Sequence, residues 1–125
     1  MGKTSKEAST STETMEGYEG HFTEIGDMTV AYETYTADAD LAALFTGLPG
    51  DMCQAAHHGY VITGKVAFRY ADGTIDEITA GEAYVATPGH TPILYAGTEV
   101  VEFTNTEELN QTMAVVMANM AAAGN

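Results

Sequence analysis

The chain has 125 residues, 45% of them hydrophobic, with 18 acidic against 4 basic side chains and a formal charge of −14. That length suits one domain with a real core, while the acidity excludes a nucleic-acid partner and disfavours an anionic membrane surface. No apolar run approaches the ~20 residues of a membrane helix, and one cysteine forbids an internal disulfide and fits a reducing, cytoplasmic setting.

Residues 1–16 are expected to be a disordered tail, because half of the first 14 are Ser or Thr and bury too little surface to offset their ordering entropy. A β-barrel is expected over residues 17–105. Tyr18–Ile25 and Met28–Tyr35 are strand-like, rich in Tyr, Phe, Val and Thr, and split by Gly26-Asp27. Asp38-Ala39-Asp40 predicts the cap of a short helix carrying Leu41, Leu44 and Phe45, ended by Gly47-Leu48-Pro49-Gly50. Val66, Phe68 and Tyr70 then alternate with Ala67 and Arg69 as one buried and one exposed face would. Ala71-Asp72-Gly73-Thr74 turns the chain into Ile75–Ile78. Further strands are expected at Ala83–Thr87, Ile93–Tyr95 and Val100–Phe103, separated by Pro88-Gly89 and Ala96-Gly97. So many short strands argue for an all-β sandwich or small barrel.

The C-terminal segment, residues 106–123, predicts a helix packed on the barrel or on a dimer partner. Thr106 is its expected cap, Glu107 and Glu108 suit the positive end of the dipole, and Gly124 is the expected stop. Leu109, Met113, Val116, Met117 and Met120 fall on one stripe at i, i+4, i+7, i+8 and i+11.

The chemistry-bearing side chains gather between Cys53 and Pro92. Three of the four histidines, His57, His58 and His90, lie there with the only cysteine. Within this stretch Tyr60-Val61-Ile62-Thr63-Gly64-Lys65, Gly81 and Gly89 match the frame of two motifs, and residues 51–105 resemble the cupin superfamily. The resemblance implies a double-stranded β-helix, the jelly-roll barrel, with a pocket inside it and pairing into homodimers. It extends to small single-domain bacterial cupins with a Cys-x3-His-His segment before Gly-Tyr-Val and a later Pro-Gly-His. The usual ligands do not carry over. His57 falls in the glutamate slot, the two histidine slots before it fall on Cys53 and Asp51 (or, at the longer spacing, Met52 and Gly50), and the second-motif histidine slot falls on Pro92.

Three arrangements compete for His57 and His90. In the first they share a divalent transition metal with a third ligand from Cys53, His58 or Asp51. A thiolate partner suits Zn or Cu, and a carboxylate partner suits Fe or Mn. In the second no metal is present and a histidine, with a pKa near ~6.5, moves protons as a general acid or base. In the third both are structural, satisfied by hydrogen bonds. His58 follows His57 and so faces the opposite side of a regular strand. Tyr60, Tyr84 and Tyr95 flank the histidines and are candidate ligand-binding hydroxyls, His21 is a bystander, and no Gly-rich phosphate loop or Ser-nucleophile motif is present. The expectation is a small-molecule-binding barrel, with His57 and His90 as catalytic candidates for an oxygenase, isomerase or cyclase. The alternative is a non-catalytic sensing or dimerisation module without metal.

Overall fold

A computed structural model of the chain describes residues 2–123. The strands are β1 (Ser11–Met15), β2 (Tyr18–Ile25), β3 (Met28–Tyr35), β4 (Ala39–Asp40), β5 (His57–Thr63), β6 (Lys65–Tyr70), β7 (Ile75–Thr79), β8 (Ala83–Ala86), β9 (His90–Leu94) and β10 (Thr98–Asn105). One helix follows, α1 (Thr106–Ala123). The strands form a six-stranded sheet in the order β1-β2-β3-β10-β5-β8 and a four-stranded sheet in the order β4-β9-β6-β7, with antiparallel pairing throughout. Neighbours such as β3 and β10 are far apart in sequence, as the crossovers of a jelly roll require. The expected all-β barrel with a C-terminal helix is therefore the observed architecture.

Sheet switching happens at Gly64, the single residue between β5 and β6. Its φ is +75°, and a Cβ there would lie 2.7 Å from Thr98 Cα and 2.8 Å from the Gly97 carbonyl oxygen. The fully buried Thr98 clamps the corner: its hydroxyl accepts the Lys65 N–H at 3.0 Å and donates to the Lys65 carbonyl at 2.9 Å. Between the sheets Val61, Val66, Phe68, Leu94 and Val100 form the centre of the core.

Three local expectations are corrected. The 1–16 tail is not wholly irregular, because Ser11–Met15 forms an edge strand whose register runs from Ser11 opposite Phe22 to Met15 opposite Tyr18. This strand is held by backbone pairing, with mostly exposed side chains, so apolar content did not reveal it. The helix expected near 38–45 is only a 3-10 turn, Ala42–Phe45, preceded by the two-residue strand β4. Asp38 is spent elsewhere, accepting the Ala96 N–H at 2.7 Å. The cap of α1 is Asn105, whose side-chain oxygen accepts the Glu108 N–H at 3.1 Å, while the Thr106 hydroxyl pairs with that of Thr29 at 2.8 Å.

The helix packs on the barrel. Val116 is buried against Phe45, Cys53 and Ala55, with Met113 and Met120 beside them. The Asn119 amide donates to the Leu44 and Thr46 carbonyls at 2.8 Å each. Met117 falls off this stripe and is 44% exposed. The stop expected at Gly124 lies outside the described residues.

Candidate metal centre

His57 opens β5 and His90 opens β9, while Cys53 sits in the loop before β5. The loop is joined to β9 by an isolated bridge: the Cys53 N–H donates to the His90 carbonyl at 2.7 Å, and the Gly89 N–H donates to the Cys53 carbonyl at 2.7 Å. This pairing starts β9 at His90, before the expected Ile93, and carries His90 into the interior with 1% exposure. Cys53 is 2% exposed, and the His57 side chain keeps 12%. One ligand atom from each of Cys53, His57 and His90 falls within 4.8 Å of the others. The Cys53 Sγ to His57 Nε2 distance is 3.5 Å, and two donors on a tetrahedral Zn²⁺ would stand about 3.3–3.6 Å apart. The donor set fits a cation after a contraction of about 1 Å at its widest separation.

Both imidazoles are oriented from behind. His90 Nδ1 donates to the Thr87 carbonyl at 2.6 Å; because a carbonyl only accepts, the proton sits on Nδ1 and the Nε2 lone pair is free. His57 Nδ1 contacts the Thr104 hydroxyl at 2.7 Å and Glu102 Oε1 at 3.6 Å, and the nearby carboxylate favours Nδ1–H there as well. Burial lowers the pKa of both rings, His90 to about 4, so both are neutral and ligand-competent at neutral pH. Burial pushes the Cys53 thiol up, and only a dication or similar charge would hold it as thiolate. From α1, the Thr112 hydroxyl lies 3.9 Å from the same sulfur.

Beside this group lies a polar cluster that sequence reasoning missed. The Tyr18 hydroxyl donates to Glu33 at 2.5 Å and the Tyr84 hydroxyl donates to Glu102 at 2.5 Å. Gly59 makes the second contact possible, since a Cβ there would lie 2.5 Å from the Tyr84 ring. Burial raises the pKa of both carboxyls, and the Glu102 charge raises Glu33 further, so the pair holds on to a proton. Strand parity carried a signal: Glu102 shares its face with Thr98, Val100 and Thr104, and Glu33 shares one with Ala31 and Tyr35, all buried. Tyr18, Glu33, Glu102 and the Cys53–His57–His90 group line a cavity of about 490 Å³ reaching from β1 to α1.

Other sequence candidates fall elsewhere. His58 is exposed on the outer face of β5, as alternation requires. Asp51 is exposed and accepts the Gly47 N–H at 3.0 Å. Tyr60 is 44% exposed, and the Tyr95 ring lies 4.5 Å under the Lys65 ammonium on the outside. Only Tyr84 of the three tyrosines reaches the interior. His21 pairs with Glu19 at 3.1 Å on β2.

No protein-family model matches the sequence, and no curated protein matches it. Solved structures do. KdgF from Halomonas sp. superposes with a TM-score of 0.51 at 16% identity, over 74% of this chain and 81% of that one. An RmlC-like cupin from Shewanella frigidimarina gives 0.53 at 15% identity, over 77% and 84%. A single-residue variant of oxalate decarboxylase from B. subtilis gives 0.56 at 14% identity, over 76% of this chain and 27% of the larger one. At such identities the likeness carries the fold alone: the chain has a jelly-roll fold like that of these cupin structures.

Proposed function

We propose that this protein binds a small molecule inside the barrel at a metal centre held by Cys53, His57 and His90. The observation that supports this is the convergence of three ligand atoms within 4.8 Å on the wall of a ligand-sized cavity. Two neutral imidazoles and one thiol suit Zn²⁺ or copper better than Fe or Mn, whose preferred carboxylate is absent from the triad. Three protein ligands leave a coordination position for water or substrate, the pattern of catalytic zinc sites. When bound, such a cation supplies Lewis acidity toward a carbonyl or hydroxyl group. The chain's own residues do the rest: Thr87 and Thr104 fix the two rings, and the Glu33–Glu102 pair stores one proton at the cavity wall. Of the reaction types expected above, isomerisation or cyclisation needs only these parts if the ion is zinc, which has no redox chemistry for an oxygenase. A cytoplasmic setting, which keeps Cys53 reduced, is part of the same proposal.

Elemental analysis of freshly purified, untagged protein tests the centre. About one Zn or Cu per chain is expected, lost in Cys53→Ala, His57→Ala and His90→Ala. Protein that remains metal-free and fails to take up added Zn²⁺ would overturn it and leave either a metal-free pocket with a histidine as acid or base or a non-catalytic binding or dimerisation module.

A further inference from the structure

The cavity's charge is one-sided. Its acidic lining comprises Glu13, Glu16, Glu24, Glu33 and Glu102, and no lysine or arginine among the described residues lines it. Of the basic residues, Lys6 is paired with Glu99, Lys65 with Glu77 and Arg69 with Asp40, all away from the cavity. The aromatic rings of Tyr18, Phe22, Tyr35 and Phe68 line the same space. His90, 1% exposed, also lines the cavity, and its Nε2 has no hydrogen-bond partner among the described residues.

We propose that the cavity takes an organic cation, an ammonium group on an apolar body, with the ammonium at the Glu33–Glu102 pair and the apolar part against the aromatic wall. This rests on the interior-pocket half of the function proposed above and not on its metal half. An anionic ligand would be desolvated into a space with no cationic side chain to receive it. A dication in the centre does not by itself reverse the sign, since a Cys53 thiolate would offset part of it and Glu33 and Glu102 line the same space. Glu13, Glu16 and Glu24, exposed residues of the same lining, add negative charge on its solvent side. A cation instead finds a buried carboxylate and ring faces that attract it electrostatically. The chain's overall charge of −14 draws cations toward the cavity from a distance.

The test is calorimetric titration of the full chain at pH 7.5, as purified and after chelation, with benzyltrimethylammonium, benzyl alcohol and benzoate. The quaternary ammonium cannot coordinate a metal, so its binding reports the pocket alone. It is expected to bind saturably and at least tenfold tighter than benzoate to the chelated protein. Glu33→Gln, which keeps the Tyr18 hydrogen bond, should weaken it about tenfold while changing benzyl alcohol less than twofold. Benzoate binding as tightly as the ammonium, no saturable binding of the ammonium, or indifference of a folded Glu33→Gln would each overturn the proposal. If that variant does not fold, the wild-type ammonium-to-benzoate ratio decides. Metal content of the same samples separates the two proposals: ammonium preference in a protein that takes up no metal sinks only the metal centre. Stoichiometric metal with a benzoate preference sinks only this inference.

Discussion

Thr104→Val tests whether the groups behind His57 set the proposed metal site. The substitution keeps volume and β-branching on β10 but removes the hydroxyl 2.7 Å from His57 Nδ1. A buried imidazole N–H left without a partner costs about 1–3 kcal/mol. Part of that penalty falls equally on the metal-free protein, and Glu102 Oε1, at 3.6 Å, can recover part of the remainder by closing in. What metal binding feels is the loss of tautomer locking, since Nε2 must offer its lone pair while Nδ1 keeps the proton. Weakening of orienting partners typically costs 10–100-fold in metal affinity, and the Glu102 fallback places the expectation near ~10-fold, about 1.4 kcal/mol. Competition of Zn²⁺ against a chromophoric chelator measures it, with Thr104→Ser expected within about threefold of wild type. Unchanged affinity in Thr104→Val, with Cys53→Ala abolishing binding, would refute the idea that His57 is oriented through its Nδ1 contact.

Other perturbations probe the frame and the electrostatics. Gly64→Ala forces a Cβ to within 2.7 Å of Thr98 Cα at a φ of +75°, so chemical denaturation should show a loss of about 3 kcal/mol. His90 is held near pKa 4, below its unfolded value of ~6.5, so the unfolded chain takes up that proton first as pH falls. Metal-free protein should therefore lose about 3 kcal/mol from this group between pH 6.5 and 4, and none above pH 6.5. The carboxyl pair, with raised pKa values, acts in the opposite direction, so the quantity to measure is the difference from His90→Gln, whose stability should lack that acid limb. Tyr60, Val85 and Phe103, 44%, 50% and 42% exposed, share the outer face of the six-stranded sheet. We propose that this face pairs two copies; light scattering should give about twice 13.2 kDa, falling to the monomer in Phe103→Glu.

Glycine spacing made the barrel legible. Gly64 marks a corner that sterics allow no other residue to occupy, and such constraints show directly in sequence. Alternation placed His58 outside without help from the structure. The centre itself was harder to see, because His90 enters through a two-way backbone link to a loop cysteine 37 residues earlier, which no local period encodes. The Glu33–Glu102 pair was hidden for another reason. A glutamate on a strand reads as solvent-facing until its neighbours of the same parity are weighed, and no local signal marks Gly59 as a slot for the Tyr84 ring.

The link between Cys53 and His90 has a kinetic consequence. Donors tied together by main-chain hydrogen bonds need not be gathered by the incoming ion, as they must be in domains that fold around zinc. Loading and unloading of a cation would then leave the barrel standing, and its residence time would be set by ligand dissociation at the mouth rather than by unfolding. Cells could exchange one ion for another here at constant protein structure, with occupancy following the free concentrations of competing metals.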